Sequence, residues 1–311
     1  MGTGKRSPVE WVKWTSPSSL VAGGMFMGFT HTILVNPSGV DLIKLLIDTG
    51  VADCICAAFK AFELHSTSAV PEANVCFIFH LLLVLAPLDL TVPQAKPIVE
   101  QLRQIPSSLK FVLDNNLDHV KCTGMTTAAL CAEICAVVFG KQEDGFEFSD
   151  AQVDLLLVFT KDVFDGPLQL YFALVPHWLK PIEALCISDA NKLLLVKSSA
   201  LVPLLLSALF LAADHPRKDV DEALKALIQT DAANCFLQIA VFGPGREMLA
   251  SDGAAMEALH ALADGHALTP EAKLSAAGAI LAIEGRSHEP QPESMLAEHG
   301  AAGKHVMVSC E

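Results

Sequence analysis

From residue 39 to residue 284, apolar side chains recur at every third or fourth position, and the two-residue alternation of a half-buried strand is almost absent. A chain with this period throughout can bury its apolar stripes only by packing helix on helix. The period predicts helices over 39–49, 51–64, 72–86, 93–104, 107–115, 120–139, 150–164, 168–186, 189–212, 217–229, 231–242, 252–263 and 270–284. Short breakers separate them: PSG at 37–39, GKQEDG at 140–145, DG at 165–166, GPG at 243–245, SDG at 251–253 and DG at 264–265. The 189–212 run is expected to break near Ser198 or Pro203, and GPGRE at 243–247 reads as a turn between helices.

Two stripes and two sets of ends are clearest. In RKDVDEALKALIQ, Val220, Ala223, Leu224, Leu227 and Ile228 share a face, with Asp221, Glu222 and Lys225 turned away. In TPEAKLSAAGAILAIEG, Leu274, Ala277 and Leu281 form the expected core stripe, and Gly278 beside them lets a neighbour approach. Thr269 suits the N-cap of that helix, Pro270 its first position and Gly285 its exit. Ser149 and Gln152 have the spacing of a capping box ahead of VDLLLVF.

Hydrophobic residues make up 52% of the chain and the mean hydropathy is +0.43, so a membrane reading has to be tested. The richest runs are 74–90, which holds His80 and ends on Pro87 and Asp89, and 192–213, which is cut by Lys197, Ser198, Ser199 and Pro203. A spanning helix needs about 20 mostly apolar residues without charge. Both runs therefore read as buried core helices, with no membrane span. MGTGKRSPVEWVKW has no apolar secretory core, and Arg6 stands where a myristoylation signal wants Ser or Thr. The net charge of −14 argues against a nucleic-acid partner, whose phosphates are held by Lys and Arg. The pairs at 5–6 and 217–218 read as ordinary solvated charges.

Nine cysteines are scattered through apolar runs, which fits reduced, buried thiols in a cytoplasmic protein. Cys131 and Cys135 share a helix face but lack the partners a zinc site needs. His80 and His260 read as packed or half-buried histidines, and Trp178 as a side chain wedged between helices. MGTGK lacks the preceding strand and the spacing of a phosphate loop. No nucleophile elbow, metalloprotease helix or isolated carboxylate pair stands out. The expectation is a chain with no catalysis of its own, no cofactor and no metal.

Many short helices with short turns predict an all-α, armadillo/HEAT-like right-handed helical solenoid, with about seven units if each spans ~40–47 residues. In such a stack the last helix of each unit lines a groove that takes a protein or peptide ligand. Asn234 and Gln238, four apart on one helix, with Arg246 nearby, are the expected groove contacts. The solenoid is expected over 17–285, after an N-terminal segment 1–16 that is partly disordered. RSHEPQPESMLAEHGAAGK at 286–304 then reads as a polar linker, with a short helix at PESMLAEH.

The block from SDANKLLLVKSSALVPLLLSALFLAADHPRKDVDEALKALIQTDAANCFLQIAVFGPGREML to GAAMEALHALADGHALTPEAKLSAAGAILAIEG (188–285) resembles the C-terminal repeats of proteins that join armadillo-like repeats to a Toll/interleukin receptor (TIR) domain. After the linker, His305, Val306, Met307, Val308 and Ser309 resemble the first strand of that domain, with Cys310 where the family has Tyr. The resemblance implies a scaffold or regulatory module in TIR-type signalling. Its alternative is the regulatory fragment of a TIR-domain enzyme that cleaves NAD, whose catalytic domain is not in these 311 residues. Residues 305–311 are then expected to be the disordered remnant of that strand, since a lone strand has no partner to pair with.

Overall fold

The computed structural model describes residues 96–116, 127–141, 146–166 and 179–285, together with Asp48. Every regular element among them is helical. The expectations for residues 1–16, for the helices before residue 93 other than Asp48 itself, for Trp178, and for the linker and tail after Gly285 lie outside the described residues.

Three helices open the described fold: α1 (Lys96–Leu102), α2 (Pro106–Asn116) and α3 (Thr127–Phe139). Pro106 stands at the first position of α2, where its missing N–H is no loss. On α3, Ala128, Ala129 and everything from Cys131 to Phe139 are buried, as expected of a helix that is apolar all round. Cys131 and Cys135 are free, buried thiols, and Cys131 Sγ donates to Leu109 O at 3.5 Å. Burial and the neighbouring Cys135 push the Cys131 thiol well above its ordinary value, so it packs as an apolar group.

Helix α4 (Asp150–Asp165) begins with the capping box its sequence predicted. Gln152 N donates to Ser149 Oγ at 3.3 Å and Ser149 N donates to Gln152 Oε1 at 3.0 Å. Gln152 Nε2 also donates to Asp114 Oδ1 at 2.7 Å, which ties this cap to α2. Ser149→Ala should lower stability by about 1 kcal/mol, read from the midpoint of urea unfolding.

The 189–212 run divides into α6 (Asp189–Leu195) and α7 (Leu201–Leu209), following α5 (Lys180–Leu185). The break falls at Ser198, whose Oγ donates to Asp154 Oδ1 at 2.5 Å and accepts from Ala200 N at 3.3 Å. Pro203 does not break anything: it stands in the first turn of α7, where no intrahelical donor is needed. Among the described residues no helix is long and apolar enough to cross a membrane.

Two predicted helices, 217–229 and 231–242, are one: α8 (Glu222–Ala240). It starts at the Asp221 cap, whose Oδ1 accepts from Leu224 N at 2.8 Å. It runs unbroken past Thr230, whose hydroxyl donates back to Ala226 O at 2.7 Å. Of the expected stripe, Ile228 is buried, Leu224 and Leu227 are half-buried and Ala223 is exposed.

GPG is not a turn but the start of α9 (Gly243–Ser251). Pro244 is tolerated in the first turn, and at Gly245 a Cβ would strike Ile239 O, so only glycine lets α9 begin this close to the end of α8. Then come α10 (Gly253–Ala261), a π-helical turn Leu262–His266 that holds Gly265 in a non-helical conformation (φ +132°), and α11 (Pro270–Glu284). The α11 bounds match the prediction, with Ala272 N donating to Thr269 Oγ1 at 3.0 Å.

Its expected face does not. Ala272, Ser275, Ala276, Ala279 and Ile283 are buried, while Leu274 and Leu281 are each 72% exposed. Small residues let α11 lie close against α8, and that contact is the most extensive between any two described helices. Helices α3, α5, α8 and α11 each pack on the next, as do α4, α7 and α10. Hydrogen-bonded pairs between α8 with its flanks and α11 with its flanks stand 37 to 41 residues apart and advance together, so the two helices run parallel. Pairs between α4 and α7 with their flanks, 42 to 47 residues apart, show the same sense.

Candidate functional site

Of the residues the sequence singled out, Asn234 lies in the seam between α8 and α11. Thr230 and Thr269 join hydroxyls at 2.8 Å at its start. One turn on, Ser275 Oγ donates to Asn234 Oδ1 at 2.6 Å, and Asn234 Nδ2 donates to Glu271 Oε1 at 3.5 Å. Beyond that, Leu237 Cδ1 stands 3.1 Å from where a Cβ on Gly278 would sit. Gln238 follows on the same helix, half-buried, and Val241 ends the row 54% exposed. Asn234 and Gln238 thus lie on one helix, with Asn234 spending its carbonyl on the α8–α11 contact. Arg246 is half-buried in the first turns of α9, with its guanidinium beside Gly243.

At the lower end of the same helices Gln229 acts as a clamp. Its amide donates to Leu209 O at 3.0 Å and His266 O at 3.4 Å, and its carbonyl accepts from Leu268 N at 2.6 Å. Above it opens a cavity of about 280 Å3, walled by Phe210, Leu211 and Leu268 with Lys218, Lys225 and His266 among its lining. Lys225 is already paired with Glu222 at 2.7 Å.

The polar groups that sequence reasoning missed lie elsewhere. Arg217, expected to be solvated, is 1% exposed. Its guanidinium donates to Phe164 O, to Val163 O at 2.8 Å and to Gly166 O at 3.4 Å, and stacks 5.1 Å from the Phe164 ring. It closes the C-terminus of α4, where carbonyls and the helix dipole favour a cation. Burial lowers its pKa to about 10, against the pull of Asp165, so it stays charged near neutrality. Lys218, next to it, is exposed, as expected.

Asp165 collects Lys161 Nζ at 2.6 Å, Ser207 Oγ at 2.9 Å and His215 Nε2 at 3.3 Å. Burial pushes its carboxyl up, but the three hydrogen bonds outweigh it and leave the group below its ordinary value. A serine, a histidine and an aspartate meet here in the wrong order for nucleophilic catalysis. The serine hydroxyl is held by the carboxylate rather than by the imidazole, whose other nitrogen accepts from Arg217 N at 3.1 Å. The cluster joins α4 to α7 and the loop before α8.

Lys180 binds Asp231 at 2.8 Å and Glu183 at 2.5 Å and links α5 to α8. Burial raises Asp231 to about 6 in spite of Lys180, while Lys180 itself is lowered by burial and raised further by its two carboxylates. His260 is on the surface, 3.3 Å from Glu284. Among the described residues no group of three or more His, Cys, Asp or Glu is placed to hold a metal.

Compared with known proteins, the chain matches no family model, no curated protein and no solved structure.

Proposed function

We propose that this chain is a non-catalytic armadillo/HEAT-like interaction module that holds an extended protein or peptide ligand along the outer edge of α8. What supports the reading is the parallel packing of α8 on α11 with partners 37 to 41 residues apart, the offset expected when units of about 40 residues stack. In a right-handed stack of this kind, Asn234, Gln238 and Arg246 are the groove contacts, polar groups that would pair with the ligand backbone. The proposed setting is the cytoplasm, as a scaffold or regulator in TIR-type signalling. That part rests on the resemblance of residues 188–285 and 305–309.

Peptides selected from a random display library against the full chain provide the test. Asn234→Ala, Gln238→Ala and Arg246→Ala combined should weaken the selected peptides by at least tenfold while the far-ultraviolet spectrum stays helical. Unchanged affinity rejects this groove. The alternative, a regulatory fragment of a TIR-domain enzyme that cleaves NAD, is favoured by His305–Ser309. The purified chain should leave NAD intact, and turnover would reject both readings.

A further inference from the structure

We infer that the cavity above Gln229 is a binding site for a small monocarboxylate with an apolar body. It opens where three segments meet: the loop after α7, the first turns of α8 and the turn that leads into α11. Gln229 fixes that meeting. It is buried, and its side chain ties Leu209 O, His266 O and Leu268 N together, so the walls are set before any ligand arrives. A small-molecule site needs such a pre-formed hollow, mostly apolar, with a few polar groups to orient the ligand.

The lining selects the ligand. Phe210 and Leu268 are 38% and 50% exposed, large apolar side chains that a ligand would cover, and Leu211 stands with them. The ionisable groups of the lining are Lys218, Lys225 and His266, and no carboxylate belongs to it. Two acids of the adjoining segment are spent: Asp221 accepts from Leu224 N in the α8 cap, and Glu222 holds Lys225 at 2.7 Å. Asp214, Asp219 and Asp264 are exposed and lie outside the lining. Lys218 is exposed and makes no ion pair among the described residues. The site thus offers one unpaired lysine beside an apolar wall, which matches one negative charge on an apolar body rather than a doubly charged phosphate. Size sets the rest. A cavity of about 280 Å3 equals about nine waters at ~30 Å3 each, so the ligand has on the order of ten non-hydrogen atoms. Octanoate has that size and that charge. The inference is independent of the groove contacts Asn234, Gln238 and Arg246, none of which lines the cavity.

The test is a titration of the full chain, labelled at its leucine methyls, with octanoate, octan-1-ol and octylammonium, three probes that share one body and differ in charge. Octanoate should shift the methyl signals of Leu211 and Leu268, assigned from Leu211→Met and Leu268→Met, with a Kd below about 1 mM. The alcohol and the cation should bind more weakly by about fivefold or more. Lys218→Gln, at an exposed position, should weaken octanoate by about fivefold and leave octan-1-ol unchanged. Ala212→Trp, at an exposed position of the lining, should fill the cavity and abolish the shifts while the far-ultraviolet spectrum stays helical. Equal affinity for the three probes would make this an apolar hollow without anion recognition and overturn the inference. Octanoate shifts that survive Ala212→Trp, or no saturable shift up to about 10 mM, would overturn it as well. A peptide that fails to bind α8 leaves this result untouched, so the two proposals fail separately.

Discussion

Arg217→Met should destabilise the chain by roughly 3 to 5 kcal/mol, because it removes a buried cation and leaves carbonyl groups at the end of α4 without donors. In the native chain the guanidinium spans three carbonyls, of Val163, Phe164 and Gly166, from a loop more than fifty residues further along. Methionine fills much of the volume and satisfies none of the oxygens. Arg217→Lys should recover only part of the loss, since a single ammonium cannot present the planar fork that reaches all three. Urea unfolding followed by circular dichroism measures both. A loss under 1 kcal/mol for Arg217→Met would mean that water reaches these carbonyls and that the loop does not fasten α4.

Glu133→Gln should have the opposite sign, and its size should depend on pH. Glu133 is 4% exposed within α3, and its one hydrogen bond comes from Thr160 Oγ1 at 3.3 Å. Burial raises its pKa from 4.5 to about 8, and the Thr160 hydroxyl only partly offsets this. The folded state therefore keeps a proton that the unfolded chain has lost between those two values. Stability is highest below the unfolded pKa and falls as pH rises toward the folded one, by roughly 3 kcal/mol at pH 7. Glutamine keeps the acceptor for Thr160 and has no proton to lose. The variant should match the native chain near pH 4.5 and exceed it increasingly up to about pH 8. Some decline should persist in the variant between pH 4 and 6, because Asp231 is also raised, to about 6. Melting temperatures of both chains over this range check the result, and parallel curves would show that Glu133 is ionised in the fold.

These two residues differ in what the sequence signals. Glu133 is the lone charge in TAALCAEICAVVF, a run with no polar face to receive it, a signal that the sequence reading above did not take up. Arg217 had no such signal: DHPRKD reads as a solvated loop, and nothing local says that Val163 and Phe164 lie beside it. GPG at 243–245 misled for the same reason, since glycine and proline open a helix as readily as they end one, and the deciding atom, Ile239 O, belongs to α8. At the seam, the placing of Asn234 and Gln238 on one helix was legible, but the bond from Ser275 to Asn234 was not, since it spans 41 residues.

Helix α11 separates the two kinds of information. Thr269, Pro270 and Gly285 determined from the sequence alone where it begins and ends, because capping depends on atoms within one turn. Its inward face was undetermined. Leu274, Ala277 and Leu281 have a helical period, and so do Ala272, Ser275, Ala276 and Ala279. Only the approach of α8 decided between them: backbones draw closest over the small residues, so the alanine face turned inward and the leucines were left outside.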